Sequence, residues 1–184
     1  MTRIIAGEFR GRRLEVPTGR DVRPTTDRMR ERLFSMLAHH RYPDLDDARV
    51  ADLYAGTGAL GLEALSRGAS HVTFVEQARP SLAALRSNIA TLKAEHATKV
   101  ITGSAIRLPR ADTPFDFIFM DPPYRQELIS PTLKSLDQQG WLRSGSILIC
   151  ELATDETFET PNGYELLDDR KQGQQRILIM SKSG

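Results

Sequence analysis

From Arg49 to the end of the chain, apolar runs of strand length alternate with segments of helical period, and this alternation restricts the fold more than any other feature. Strands are predicted over 50–54, 71–76, 99–102, 115–120 and 146–151. Between them lie a helix that follows a glycine turn and ends at Gly68, and a helix opened by Pro80 with Leu82, Leu85, Ile89 and Leu92 on one side. A third runs through Ile129, Leu133 and Leu136 and stops at Gly140. The segments 164–167 and 176–180 read as a closing antiparallel pair. Such an order implies a mostly parallel sheet covered on both faces, with ligands at the carboxyl ends of its strands near the reversal in strand order. Ahead of this unit, 3–16 reads as two short strands broken near Gly7 and Gly11, hence a small hairpin. Thr25, Thr26 and Asp27 then cap a helix to about 37, with Met29, Leu33, Met36 and Leu37 on its inner face and Arg28, Glu31 and Arg32 outside. The expected division is an appendage over 1–42 and a main domain over 43–184.

A chain of 184 residues, 40% hydrophobic and 27% charged, can bury a full core without disulfides or metals. Its longest apolar runs, such as 147–150, are far too short to span a bilayer. No basic-then-apolar leader opens it, so secretion is not expected, and a lone cysteine, Cys150, suits a reducing cytoplasm. The net charge of +1 conceals an asymmetry. Residues 1–41 carry ten arginines against five acids, leaving the remainder negative. Every cation in that first segment is arginine, the better residue for forked phosphate contacts and for stacking on bases. A polyanion partner accounts for this, and so does a solvated, salt-bridged face.

Asp52-Leu53-Tyr54-Ala55-Gly56-Thr57-Gly58-Ala59-Leu60-Gly61 joins the first strand of the main domain to its helix. Glycines there allow a tight turn and close approach of backbone N–H groups to a ligand, and Glu76 ends the next strand where a carboxylate can accept from ribose hydroxyls. Asp52, Tyr54, Ala55, Gly56, Thr57, Gly58 and Glu76 are therefore the candidate nucleotide- or nucleoside-binding residues. The glycine spacing formally matches the dinucleotide fingerprint, so an NAD-dependent oxidoreductase is one reading; glycines that serve the turn and helix packing alone are another. Asp52, in an apolar strand, requires a polar partner if buried.

Asp121-Pro122-Pro123-Tyr124 follows the apolar strand 115–120 and arrives at the same sheet edge. Two prolines hold the backbone extended and remove two donors, leaving a carboxylate and a carbonyl as acceptors with an aromatic ring just beyond. That set suits a planar group bearing an NH2: the oxygens take its two protons and the ring stacks on its face. A strand-ending turn with a half-buried aromatic is the plainer alternative.

With the glycine turn before it, this tetrad resembles the class I S-adenosylmethionine-dependent methyltransferases that act on nucleobase amino groups. More narrowly, Arg3-Ile4-Ile5-Ala6-Gly7, Gly11-Arg12-Arg13-Leu14, Arg23-Pro24-Thr25-Thr26-Asp27-Arg28 and Gly61-Leu62-Glu63-Ala64-Leu65-Ser66-Arg67 resemble the RsmD family. The resemblance implies a Rossmann-like fold with a seven-stranded sheet whose last strand is antiparallel, and S-adenosylmethionine as cofactor. It also implies transfer of a methyl group to guanine N2 in 16S ribosomal RNA, free or in the assembling small subunit. By the same resemblance Asp121, Pro122, Pro123 and Tyr124 are the catalytic set, and Arg10, Arg12, Arg13, Arg23 and Arg28 hold RNA. Where relatives often place an acid after the third core strand for the adenine ring, this chain has Gly103-Ser104-Ala105, so the contact is expected from Ser104 and Ala105, through the Ser104 hydroxyl or through backbone. The tail 171–176 matches the family only in its lysine and glycine. A non-catalytic RNA-binding ribosome assembly factor is the remaining alternative; DNA adenine methyltransferases share the tetrad but usually carry a further target-recognition domain. His39, His40, His71 and His96 show no ligand spacing, so no metal site is expected, and a monomer is.

Overall fold

The computed structural model describes residues 2–17, 27–39 and 41–184. Arg23 and the expected helix cap at Thr25 and Thr26 lie outside them. Strands β1 (Thr2–Arg3) and β2 (Arg13–Leu14) pair antiparallel as the expected hairpin and lead to α1 (Asp27–Leu37). The alternating unit follows: β3 (Arg49–Leu53), α2 (Ala59–Ser66), β4 (His71–Glu76), α3 (Arg79–Leu92), β5 (Thr98–Thr102), β6 (Phe117–Met120), α4 (Ile129–Gln138), β7 (Ile147–Ala153), β8 (Tyr164–Gln172) and β9 (Gln175–Lys182). One sheet of order β5-β4-β3-β6-β7-β9-β8 contains all seven of its strands. β9 alone runs against the others, inserted between β7 and β8. The strand order reverses between β3 and β6, which lie side by side in parallel register.

Several element ends differ from expectation, β6 starting at Phe117 rather than at 115 and β7 running to Ala153 rather than to 151, and two of the differences have a plain cause. Tyr54 lies beyond β3 with a φ of 60°, because the chain must bend there into the glycine turn. β8 runs on to Gln172 through a polar stretch, since the ladder to β9, with one irregularity between Leu166 and Asp168, holds it extended where apolar content does not.

The period-2 alternation of the strands divides the core between two faces. Phe117, Phe119, Ile147 and Ile149 pack with α1, α2, α3 and the hairpin residues Ile4 and Leu14. Ile118, Met120, Leu148 and Cys150 pack on the other face with Ile129, Leu133 and Leu136 of α4 and with Trp141. α1 buries Arg30, Leu33, Phe34 and Leu37; Met29 and Met36 are half-buried, so the helix is turned further toward Phe34 than the predicted stripe. The Phe34 ring lies 5.6 Å from that of Phe119, tilted by 52°.

Arg30 belongs to the basic segment by sequence yet is fully buried. Its Nη2 donates to the Arg3 carbonyl at 2.7 Å and to Asp27 at 2.6 Å, and Nη1 lies 3.6 Å from Glu63 Oε2. Glu63, equally buried on α2, accepts the N–H groups of Ile5 at 2.8 Å and Ala6 at 3.0 Å and pairs with Arg67 at 2.8 Å. Gly7 closes this seam with φ +84°, and a Cβ there would stand 1.7 Å from the Ser66 carbonyl oxygen. Gly61 marks a second close approach: a Cβ would meet Phe74 Cε1 at 2.4 Å and Val72 Cγ1 at 2.8 Å, between α2 and β4. Gly61→Ala is therefore expected to destabilise the fold by about 1–3 kcal/mol through overpacking. A urea titration should show a lower midpoint at unchanged slope; an unchanged midpoint contradicts the packing argument.

Candidate active site

At the strand-order reversal the carboxyl ends of β3 and β6 leave space above the sheet, where open α/β sheets bind ligands. β3 delivers the glycine turn, β4 delivers Glu76 and β6 delivers Asp121, all to one edge. A cavity of about 540 Å³ opens there, lined by Asp52, Tyr54, Ala55, Gly56 and Thr57, by Glu76, by Gly103 and Ala105, and by Asp121, Pro122, Pro123 and Tyr124. Gly58 and Ser104 stand off its wall. Gly58 is the N-cap of α2 and faces Leu85, while the Ser104 carbonyl accepts the Arg107 N–H in a turn.

Glu76 is held by three backbone donors: Gly56 N–H at 2.8 Å on Oε2, and Gln77 at 2.8 Å and Ala78 at 2.7 Å on Oε1. A carboxylate offers roughly four lone-pair sites, so one remains, on Oε2. The Gly56 N–H that a dinucleotide site would turn toward pyrophosphate is thus already taken by a carboxylate.

Asp52 finds its required partner at the start of α2, where its Oδ2 accepts the Gly61 N–H at 2.9 Å and does the work of a cap for a helix without a capping side chain. Burial pushes its carboxyl well above the usual carboxylate range; the Gly61 bond opposes this, and the charges of Asp121 and Glu76 add to it. Asp52, Glu76 and Asp121 therefore line the cavity together, and among the described residues that line it there is no lysine, arginine or histidine. The acids among these described residues favour a cationic ligand over a diphosphate. Tyr54 bonds Thr132 Oγ1 at 2.6 Å, and that hydroxyl donates to the Leu128 carbonyl, so the phenol donates.

Pro122 and Pro123 separate this cavity from a wider one of about 970 Å³ at the same edge, whose walls include Glu151, Asp155 and Phe158. Tyr124 is half-buried and its hydroxyl donates to Glu151 Oε1 at 2.9 Å, an oxygen that also accepts Gln175 Nε2 at 3.2 Å. After the tetrad, Arg125 takes φ 58°, donates its N–H to Glu156 at 2.9 Å and forks onto Asp155, latching the loop. Cys150 is fully buried beside Glu151 and burial pushes its thiol up, so it packs rather than reacts. Among the described residues no group of three His, Cys, Asp or Glu side chains is arranged to hold a metal ion, and no helix is long and apolar enough to cross a membrane.

Sequence reasoning missed several members of this region: Ser81, Gln126 and Leu128 line the cavity beside the motifs, and three more concern the N-terminal segment. Thr2 and Val16 of the N-terminal segment line the cavity itself. Asn88, on the inner face of α3, accepts the Glu15 N–H at 2.6 Å and donates to the carbonyls of Glu15 and Thr57 at 3.0 Å, tying that segment to the glycine turn. A polar residue at core register between Leu85 and Leu92 was the available signal. Of the expected RNA-binding residues, Arg10, Arg12 and Arg13 are exposed on the hairpin and Arg28 on α1, without ion pairs among the described residues.

The family model described as Conserved hypothetical protein 95 matches residues 2–181. Over 173 residues the chain is 41% identical to "Ribosomal RNA small subunit methyltransferase D" of Escherichia coli (strain K12), a match covering 94% of this chain and 85% of that protein. It superposes on the solved structure of yhhF from Escherichia coli with a TM-score of 0.85 at 38% identity, covering 98% and 97% of the two chains. For HI0767 from Haemophilus influenzae the TM-score is 0.81 at 32% identity, covering 100% and 99%. A match of this extent, taking in the hairpin, the glycine turn and the tetrad alike, means that the chain belongs to the RsmD family of methyltransferases.

Proposed function

We propose that this methyltransferase uses S-adenosylmethionine to methylate the exocyclic N2 of a guanine in small-subunit (16S) ribosomal RNA, in the cytoplasm. The observation that carries the reading is the placement of Asp121-Pro122-Pro123-Tyr124 on the wall of a cavity ringed by Asp52, Glu76 and Asp121. These residues fit the cofactor: the three carboxylates suit a ligand bearing ammonium and sulfonium charges, and the open site on Glu76 Oε2 suits a ribose hydroxyl. The same features weigh against NAD. Bound S-adenosylmethionine supplies a methyl group made electrophilic by its positive sulfur.

An exocyclic guanine nitrogen is a poor nucleophile because its lone pair is delocalised into the ring. The Asp121 carboxylate and the Pro122 carbonyl accept its two hydrogens, hold the lone pair toward the methyl and stabilise the positive charge that develops on nitrogen as the N–C bond forms. The product nitrogen then loses one proton, to Asp121 or to water. Tyr124 stacks on the extruded base, a contact of roughly 1–3 kcal/mol, and Glu151 fixes the plane of its ring through the phenol. Arg10, Arg12, Arg13, Arg23 and Arg28, on an appendage spanning 1–42, hold the RNA backbone. The main domain over 43–184 performs the transfer.

The test is mass mapping of methylated nucleosides in 16S RNA and in assembling small-subunit particles from a strain lacking the gene, before and after incubation with enzyme and S-adenosylmethionine. Restoration of N2-methylguanosine at one position is expected; a different modified nucleoside, or none, refutes the assignment. Titration calorimetry with S-adenosylmethionine and NAD separates the two cofactors directly.

The buried Asp52 also predicts a pH dependence. A carboxyl raised by burial keeps its proton to a higher pH than a free carboxylate does, and a cationic ligand favours its ionised form. Binding therefore releases a proton, and affinity for S-adenosylmethionine rises with pH until the raised value is passed. In the absence of ligand the sign is opposite for stability, which falls as pH rises from the usual carboxylate range, because the folded state binds more protons than the unfolded one. Calorimetry in buffers of different ionisation enthalpy should detect the released proton, and Asp52→Asn should abolish it; release that persists in the variant contradicts the assignment to Asp52.

A further inference from the structure

β9 begins with Gln175 opposite Ala153, the last residue of β7, so the β8–β9 turn overhangs the carboxyl edge of the sheet, the edge that carries the tetrad. The end of β7 clips this tip in place: Thr154 donates its N–H to the Gln174 carbonyl at 3.1 Å and its hydroxyl to the Gly173 carbonyl at 3.1 Å. Facing the tip is α1, and between them lies a groove of about 370 Å³ lined by Arg28, Met29, Glu31, Arg32, Gln172 and Gln175. Arg28 and Arg32 stand one helical turn apart on the exposed face of α1. Arg32 donates to Gln172 Oε1, which leaves the Gln172 amide nitrogen with no acceptor among the described residues. Arg28 has neither a hydrogen bond nor an ion pair among them. The groove thus presents two guanidinium groups and an uncommitted amide donor against one acid, Glu31. Its far wall reaches the reaction centre by a short chain of side chains: Gln175 bonds Glu151, and Glu151 holds the Tyr124 hydroxyl.

We infer that this groove is a second RNA-binding element, which takes the phosphate–ribose strand next to the target nucleotide with Arg28 and Arg32 on one side and Gln172 on the other. Forked guanidinium and amide donors match phosphate oxygens, and backbone contacts of this kind set register without reading sequence. The C-terminal hairpin thereby becomes part of the substrate site, although its sequence pointed to no function. The inference rests on the ribosomal RNA reading above and deepens it.

The test compares wild type with Arg32→Ala, Gln172→Ala and a charge control, Lys134→Ala, which removes a cation from α4 on the opposite face of the sheet. Binding to 16S RNA is measured across a salt series. Arg32→Ala should reduce the slope of log affinity against log salt by about 0.7–0.9, the value for one lost phosphate contact. Gln172→Ala should weaken binding with the slope unchanged, since it removes no charge, and both should raise KM for RNA while leaving S-adenosylmethionine affinity as in wild type. If Arg32→Ala shows the same slope as Lys134→Ala, or if Gln172→Ala binds like wild type, the groove does not hold RNA and the inference fails while the methylation reading stands. If wild type neither binds nor methylates 16S RNA, both fall.

Discussion

Asp121→Ala should lower the rate of methyl transfer by about 10²–10³-fold, the usual loss when one preorganised polar contact to a developing charge is removed. S-adenosylmethionine affinity should stay close to that of wild type. The separation follows from where Asp121 sits. It leaves β6 immediately before two prolines whose backbone cannot donate, and both Asp121 and Pro122 line the cavity, where the proposed mechanism uses the carboxylate and the carbonyl as a pair of acceptors. The glycine turn, Glu76 and Asp52 line the same cavity and do not depend on it for their own hydrogen bonds. Asp121→Asn retains an acceptor oxygen without the charge and should lose less than Asp121→Ala. Single-turnover rates beside calorimetric binding constants decide the matter; a variant with nearly full rate would remove Asp121 from the mechanism.

Glu63→Ala should destabilise the protein by about 3–5 kcal/mol, the range for stripping one partner from a buried ion pair. Arg30 would then keep a fully buried charge with Asp27 as its one acidic partner among the described residues, beside the Arg3 carbonyl, and the N–H groups of Ile5 and Ala6 would lose their acceptor. Both losses fall on the seam that docks the N-terminal hairpin on α2. That hairpin supplies Thr2, and the strand end beyond it Val16, to the wall of the cavity. Chemical denaturation measures the loss, and Arg30→Met combined with Glu63→Leu should recover much of it by replacing the pair with apolar volume. Equal stability of Glu63→Ala and wild type would show that the pair contributes nothing net.

Much of the architecture was legible because it follows from local chemistry. Alternating apolar strands and helical stripes identified the parallel unit, Gly68 and Gly140 marked helix ends, and the double proline announced the end of β6. Seven of the nine residues proposed from sequence for the cofactor do line one cavity. Gly58 and Ser104 do not, since a motif states which residues share a turn but not which way each faces. Arg30 shows the same limit from the other side: its composition class is that of a nucleic-acid contact, while its position on the inner face of α1 makes it a structural ion.

The order of strands and helices, the edge at which the glycine turn and the tetrad emerge, and the excess of arginine before residue 42 are properties of the linear chain, because periodicity, turn chemistry and charge are read between near neighbours. Tertiary structure alone decided that Asp52 caps α2 through the Gly61 N–H, that Glu151 grips Tyr124, that Asn88 ties the N-terminal segment to the glycine turn, and that the C-terminal hairpin faces α1 across a groove. Those contacts join residues far apart in sequence, and their partners are chosen by how the two faces of the sheet are packed, a global outcome that no local pattern encodes.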